Sequence, residues 1–262
     1  MKALRINLIL AGLLLFGLTS LCHGQLYRPV TMADKAVIHD FIQQNLRYPE
    51  EALKEGKNGE VVVTFHVDER GNGSNYHVTQ TFCEEANTNA LDMVRKIRWS
   101  PATMDMKPVA SDMEYTVEYN ARSYKRYWKK HEPLPLPLTL EADTSYAIYE
   151  RHQLEETAKP YFADGSTMAQ FILSNLKYPE SAKMAEIAGT VRLSFVVETD
   201  GNISNILIEQ SVGGGCDQEA IRLLQLTRWI PAVKNGQYVR SHNLQDITFH
   251  IGNRNYQDGN AY

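Results

Sequence analysis

Two stretches of alternating apolar and polar residues, at positions 61–67 and 191–197, each predict a half-buried β-strand. Because successive side chains of a strand point to opposite faces, one face of each strand must lie on a core. Gly71-Asn72 and Gly201-Asn202 follow these stretches, and both residue types tolerate turn conformations. The chain is therefore expected to turn back into a second strand after each stretch.

Apolar residues at helical spacing lie on both sides of each predicted hairpin. One stripe runs over 37–46, with its counterpart over 168–176, and each stops at a Tyr-Pro pair that disfavours further helix. A second helix is predicted at about 87–97, and Asp217 is a candidate N-cap for its counterpart. Alternation returns at about 113–119 and 244–251, which predicts a last strand in each half.

The two halves are copies of one another, displaced by 130 residues. Aligning 41–119 with 171–249 needs no gap and gives 24 identities in 79 positions. The sequence therefore predicts an α+β protein of two repeated units, each a small three-stranded antiparallel sheet with helices packed on one face. The expected segments are a signal peptide at 1–24, a first domain at 25–120, a Pro-containing linker at 121–143, a second domain at 144–252 and a polar tail at 253–262.

The first residues resemble a secretory leader. Lys2 and Arg5 precede an apolar run over 6–21, and Cys22-His23-Gly24 offers a cleavage site after Gly24. An uncleaved membrane anchor and lipid attachment at Cys22 are the alternatives. Removal of the leader places the chain in an oxidising compartment, where Cys83 and Cys216 either pair or remain separate buried thiols.

Charge and missing motifs argue against nucleic acid binding and against enzyme activity. The formal net charge is −4, so the chain has no basic excess for binding nucleic acid phosphates. The sequence contains no Gly-rich phosphate loop, no metal-spaced cysteine pairs and no Gly-x-Ser-x-Gly motif. His66 and His77 flank the first turn, but the second copy has no histidine at those positions, so solvated side chains are expected there. We therefore expect no enzyme activity, cofactor, metal or small-molecule substrate.

Four repeated motifs together resemble the TonB C-terminal domain. They are Tyr-Pro-x-x-Ala (48–52 and 178–182), Gly-x-Val before the alternating strand, a turn of the Asp-Gly type, and Trp-x-Pro-Ala after the second helix. The resemblance covers about 41–119 and 160–251. It implies a periplasmic domain that binds a short extended segment of an outer-membrane transporter as an added strand beside its last strand. In that family, inner-membrane energy is thereby passed to nutrient uptake.

A small sheet must have an edge strand, whose unpaired N–H and C=O groups can pair with another extended chain. The resemblance places this edge at the last strand of each copy. The implied partner-binding residues are Met113, Tyr115, Val117, Tyr119, Gln245, Ile247, Phe249 and Ile251.

The resulting expectation is a non-enzymatic periplasmic binding protein of the TonB family, acting in TonB-dependent transport across the outer membrane. Its partner would be a peptide segment of an outer-membrane transporter or another periplasmic protein. The protein would be membrane-anchored if the leader stayed uncleaved. The alternative is a self-associating periplasmic scaffold, such as a homodimer, with no role in energy transduction.

Overall fold

The computed structural model describes residues 26–131 and 134–251 and forms two similar α+β units. The predicted leader and the predicted polar tail lie outside these residues. The first unit contains strands β1–β8, which span Leu26–Tyr27, Val30–Thr31, Gly59–Val67, Gly73–Gln80, Trp99–Ser100, Ala102–Met104, Lys107–Val109 and Ser111–Tyr119. Its helices α1–α4 span Lys35–Asn45, Glu50–Glu55, Glu84–Lys96 and Ala121–Lys130.

The second unit repeats this order with small additions. Its strands β9–β15 span Ile148–Tyr149, Lys159–Tyr161, Gly189–Val197, Ile203–Gln210, Arg228–Ile230, Ala232–Lys234 and Gln237–Phe249. Its helices α5–α7 span Met168–Asn175, Glu180–Met184 and Cys216–Gln225, and a 3₁₀ turn covers Arg151–Gln153. The first ten residues of the predicted linker thus form helix α4.

The alternating pattern of the central strands forms the core, as the sequence predicts. The buried residues of β3 are Val61, Val63, Phe65 and Val67. The buried residues of α1 belong to the same hydrophobic cluster and are Val37, Ile38, Phe41 and Ile42. Asp34 caps α1, because its carboxylate accepts from the N–H of Ala36 at 2.8 Å. The predicted α+β class with two repeated units is therefore confirmed.

The sheet of the first unit has the strand order β4-β3-β8 and is antiparallel throughout. The second sheet repeats this arrangement as β12-β11-β15 but is larger than the predicted three strands. The long β15 also pairs with β14 in a hairpin, and the short β9 adds to it in parallel. The period-two pattern could not predict these pairings, because they join segments that are distant or very short.

Both hairpin turns require glycine. Gly71 and Gly201 have φ of +84° and +78°, a region that residues with a Cβ rarely adopt. A Cβ on Gly201 would also lie 2.2 Å from the carbonyl oxygen of Trp229, and one on Gly71 would lie 2.3 Å from that of Trp99. Each turn therefore packs directly on the backbone of the repeated tryptophan.

The helix α7 differs from its prediction at the N-terminus. Its N-cap residue is Gly215, and Asp217 lies inside the first turn, so the predicted N-cap role of Asp217 is wrong. The Asp217 carboxylate instead accepts from the N–H of Val212 at 2.9 Å and from the hydroxyl of Ser211. It therefore holds the loop before the helix in place.

The two units share a buried polar interface. Asn205 of β12 accepts from the N–H of Arg98 at 2.8 Å and donates to the carbonyl oxygen of Lys96 at 2.9 Å. Arg240 of β15 donates to the same Lys96 oxygen at 3.0 Å and forms an ion pair with Glu198. The end of α3 in the first unit is thus held by side chains of the second, and α1 packs against β12.

Within the described ranges, no helix has the length and apolar character that crossing a bilayer requires. Helix α4 has its cationic residues exposed and its aromatic residues turned toward the protein, where Tyr124 contacts Tyr48 with ring centroids 5.3 Å apart. Cys83 and Cys216 are both free thiols, and burial raises the pKa of the Cys216 thiol.

Candidate functional site

The outer edge of β8 is one of the two edges of the first unit's main sheet. The strand pairs with β3 over its whole length, from Ser111 opposite Val67 to Tyr119 opposite Gly59. In the part of the chain that the structure describes, no strand pairs with its other side. The edge therefore presents unpaired backbone groups, which can template another extended chain.

The hairpin geometry determines which β8 residues face outward. The N–H of Asp68 donates to the carbonyl oxygen of Asn72 at 3.0 Å, so even-numbered positions of the β3 strand point toward β4. Its odd-numbered positions then point toward β8, and the register pairs them with odd-numbered β8 residues. The outward N–H and C=O groups consequently belong to Asp112, Glu114, Thr116 and Glu118.

The second unit supports this assignment independently. Tyr238 is an even-numbered residue near the start of β15, and its N–H donates to Glu141 while its carbonyl oxygen accepts from Asp143, both at 2.8 Å. Both bonds lie away from β14, the hairpin partner of that position. Even-numbered positions therefore face the outer edge in this copy as well.

An apolar groove runs beside the β8 edge. Its volume is 490 Å³, and it lies between α1 and the core-facing side of the strand. The apolar side chains that line it are Pro29, Val30, Ile38, Ile42, Trp99, Met113, Tyr115 and Val117. Lys35 and His39 stand on its α1 wall, and Glu118 lies at the strand side. The groove can thus receive alternate side chains of a strand added to this edge.

Three of the four residues predicted in β8 line this groove. The side chains of Met113 and Tyr115 are half-buried, and that of Val117 is buried. The fourth, Tyr119, is buried in the core, where its hydroxyl donates to the carbonyl oxygen of Ala86 at 2.8 Å. Burial raises the pKa of the Tyr115 and Tyr119 hydroxyls, so both remain uncharged at neutral pH.

The residues predicted in the second unit are less accessible. Ile247 and Phe249 are buried, and Gln245 is intermediate. Ile251 lies beyond the end of β15 and is 39% exposed, so its prediction as a strand residue is wrong. The outer edge of β15 is also partly occupied by the chain itself, at Tyr238 by 141–143 and at 240–241 by β9.

A row of carboxylates on the open face of the first sheet was not among the predicted site residues. Asp112, Glu114 and Glu118 are exposed on β8, and Glu60 stands directly opposite Glu118 on β3. The signal was present in the sequence, since three acids occupy alternate positions between the apolar residues of β8. Whether these acids lie beside a free edge depends on which side of the strand is unpaired, and the sequence pattern alone does not show this.

Reactive chemistry is not apparent at this edge. Among the described residues, no three His, Cys, Asp or Glu side chains are grouped to hold a metal ion. His66 Nδ1 lies 2.8 Å from the Asp112 carboxylate, and His77 Nδ1 lies 3.0 Å from the carbonyl oxygen of Asn75. What the arrangement offers is backbone pairing beside an apolar groove.

Comparison with known proteins finds one family in both units. The family model for the Gram-negative bacterial TonB protein C-terminal region matches residues 44–121 and again residues 174–251. Among solved structures, the NMR structure of the TonB C-terminal domain of Helicobacter pylori matches with 21% identity and a TM-score of 0.25. That match covers 32% of this chain and 78% of the other. No curated protein matches the chain.

Proposed function

Because the chain belongs to the family of Gram-negative bacterial TonB protein C-terminal domains, we propose that it is a non-enzymatic periplasmic protein that binds extended peptide segments by strand addition. The binding edge is β8 of the first unit. The partner is a segment of an outer-membrane transporter or of another periplasmic protein, and the process served is TonB-dependent transport.

The free outer edge of β8 beside an apolar groove is the observation that carries this proposal. An added strand forms backbone hydrogen bonds with outward groups of residues 112–118, which supply affinity without dependence on sequence. Alternate side chains enter the groove and bury apolar surface against Ile38, Ile42 and Trp99. Backbone pairing and groove contact thus act on the same short segment.

The second unit has a different role in this proposal. Its own residues 141–143 and β9 pair with its last strand at Tyr238 and at 240–241, just before the positions 242–248 that correspond to 112–118. Its buried side chains Asn205 and Arg240 bind the end of α3 in the first unit. In this proposal the second unit supports the first, and the peptide is bound at β8.

Self-association through the same edge is the competing function. Pairing two copies of β8 would place the exposed Asp112, Glu114 and Glu118 of one copy next to those of the other. Like charges on neighbouring strands destabilise a sheet. The acidic edge therefore favours a foreign strand over a second copy.

The test compares one proline substitution in each unit. Thr116 and Thr248 both occupy even-numbered, outward positions of a last strand, so proline removes an N–H that the sheet does not use. The probes are labelled five-residue peptides with a Val-Ser-Val centre flanked on each side by one serine, one lysine or one glutamate. Binding is measured by fluorescence anisotropy, and folding by circular dichroism.

Thr116→Pro should remain folded and weaken binding of the best probe by roughly tenfold, because one backbone bond is lost and the proline ring obstructs the edge. Thr248→Pro should bind as the unaltered protein does. The proposal fails if no probe binds, or if Thr116→Pro binds normally.

A further inference from the structure

The two units differ most sharply in the charge of the open sheet face next to the last strand. In the first unit, Glu60 and Glu118 stand directly opposite one another at a position where like charges destabilise the sheet. The corresponding pair in the second unit is Thr190 and Thr248, whose hydroxyls are hydrogen bonded at 3.0 Å. The copies are aligned without a gap, so the comparison is position by position.

The two units also differ in whether the acidic residues of this face are paired with cations. Asp246 of the second unit is paired with Arg192, with an Nε to Oδ1 distance of 2.7 Å. In the first unit, Glu60, Glu114 and Glu118 form no ion pair among the described residues. The open face beside β8 therefore carries three carboxylates without matching cations, whereas Asp246 beside β15 is paired with Arg192.

The groove side of β8 differs from the acidic open face, because it is apolar and carries a cation. Its floor is apolar, and Lys35 on α1 is the cation on its wall. A basic side chain pointing into the groove would lose hydration and meet the Lys35 ammonium group. Apolar side chains are therefore favoured on the groove side, and basic side chains are favoured on the open face.

We propose that the β8 edge selects segments in which two basic residues, four positions apart, flank an apolar-x-apolar centre. The apolar residues lie beside Tyr115 and Val117, on the groove side. The basic residues lie beside Glu114 and Glu118, with the second also near Glu60. Cross-strand neighbours at this spacing are within reach of an ion pair. This inference rests on the proposed strand capture and adds the chemistry of the segment.

The three probe peptides test this selectivity directly. Their sequences read the same in both directions around the central serine, so the outcome does not depend on parallel or antiparallel addition. The lysine peptide should bind the protein about tenfold more tightly than the serine peptide, and the glutamate peptide should bind least. The preference should shrink between low and high salt, because exposed charges are screened.

Charge reversal supplies the matched control. The variant Glu114→Lys/Glu118→Lys should prefer the glutamate peptide. The variant Leu244→Lys/Thr248→Lys changes the equivalent positions of the second unit and should retain the preference for lysine. Equal binding of all three peptides would overturn the inference while leaving strand capture in place, and would assign the carboxylates to protecting the edge from aggregation. Absence of binding by every peptide would overturn strand capture itself.

Discussion

Removing the Arg240 guanidinium should strongly destabilise the protein. Arg240 donates two bonds to the Glu198 carboxylate, both at 2.9 Å, and the side chains are only 4% and 1% exposed. The same guanidinium donates to the carbonyl oxygens of Tyr146 at 2.8 Å and Lys96 at 3.0 Å. Arg240→Met would therefore leave a buried carboxylate without a counter-charge and two carbonyl oxygens without this donor.

The expected cost follows from burial. Breaking a buried ion pair by removing one partner costs about 3–5 kcal/mol, because the remaining charge is desolvated. The control is Arg192→Met, which removes an equally well-formed pair with Asp246 on the same sheet. Those side chains are 49% and 44% exposed, so the control should cost far less than Arg240→Met.

Urea unfolding followed by tryptophan fluorescence measures both losses. A second variant, Glu198→Leu/Arg240→Met, should be more stable than Arg240→Met alone, because it leaves no unpaired charge in the interface. If Arg240→Met and Arg192→Met cost the same, the assignment of a buried, desolvated pair between the units is wrong.

Three further predictions concern other parts of the fold. Asn205→Ala should lower the free energy of unfolding by about 1–3 kcal/mol more than Asn75→Ala, because both residues have positive φ but only Asn205 contacts the other unit; equal losses in urea unfolding would contradict this. Gly201→Ala should cost about 1–3 kcal/mol more than Gly165→Ala, since the φ values are similar but only Gly201 has a backbone oxygen in the way. Burial raises the pKa of Tyr127 to about 12, so stability present below pH 10 should be lost as pH rises toward 12. Tyr127→Phe should lose less over that range, and an unchanged pH profile would exclude this contribution.

Local sequence patterns predicted most of the fold because they determine which face of each element is buried. The alternation over 61–67 placed four residues of β3 on the core, and the burial of those residues confirms it. The gapless repeat extended the same reasoning to the second unit. The family resemblance is confirmed by the match of the family model to both halves.

Such local patterns do not predict which distant segments pair with each other. Residues 141–143 and β9 pair with β15 at Tyr238 and at 240–241. These contacts involve single bonds or a two-residue strand, so they produce no periodic pattern in the sequence. The docking of Asn205 was also invisible, since the identical Asn75 occupies the equivalent position and is exposed. Identity between the copies thus concealed a difference in role.

The candidate site was predicted in part. Alternation correctly indicated that Val117 and Ile247 face inward, but inward-facing residues are those whose backbones pair with the central strand. The outward backbone groups belong to the neighbouring even-numbered residues, including Thr116. The hairpin bond between Asp68 and Asn72 resolves which set is which, and the bonds of Tyr238 agree with it.

Amide hydrogen exchange across β8 tests the central claim most directly. In the protein alone, the amides of Glu114, Thr116 and Glu118 should exchange rapidly, whereas those of Tyr115 and Val117 should be protected. Excess lysine peptide should slow exchange at the three even-numbered positions and leave the odd-numbered positions protected. Protection of the even-numbered amides before any peptide is added, or no change in them at saturation, would contradict a free edge that takes up a strand.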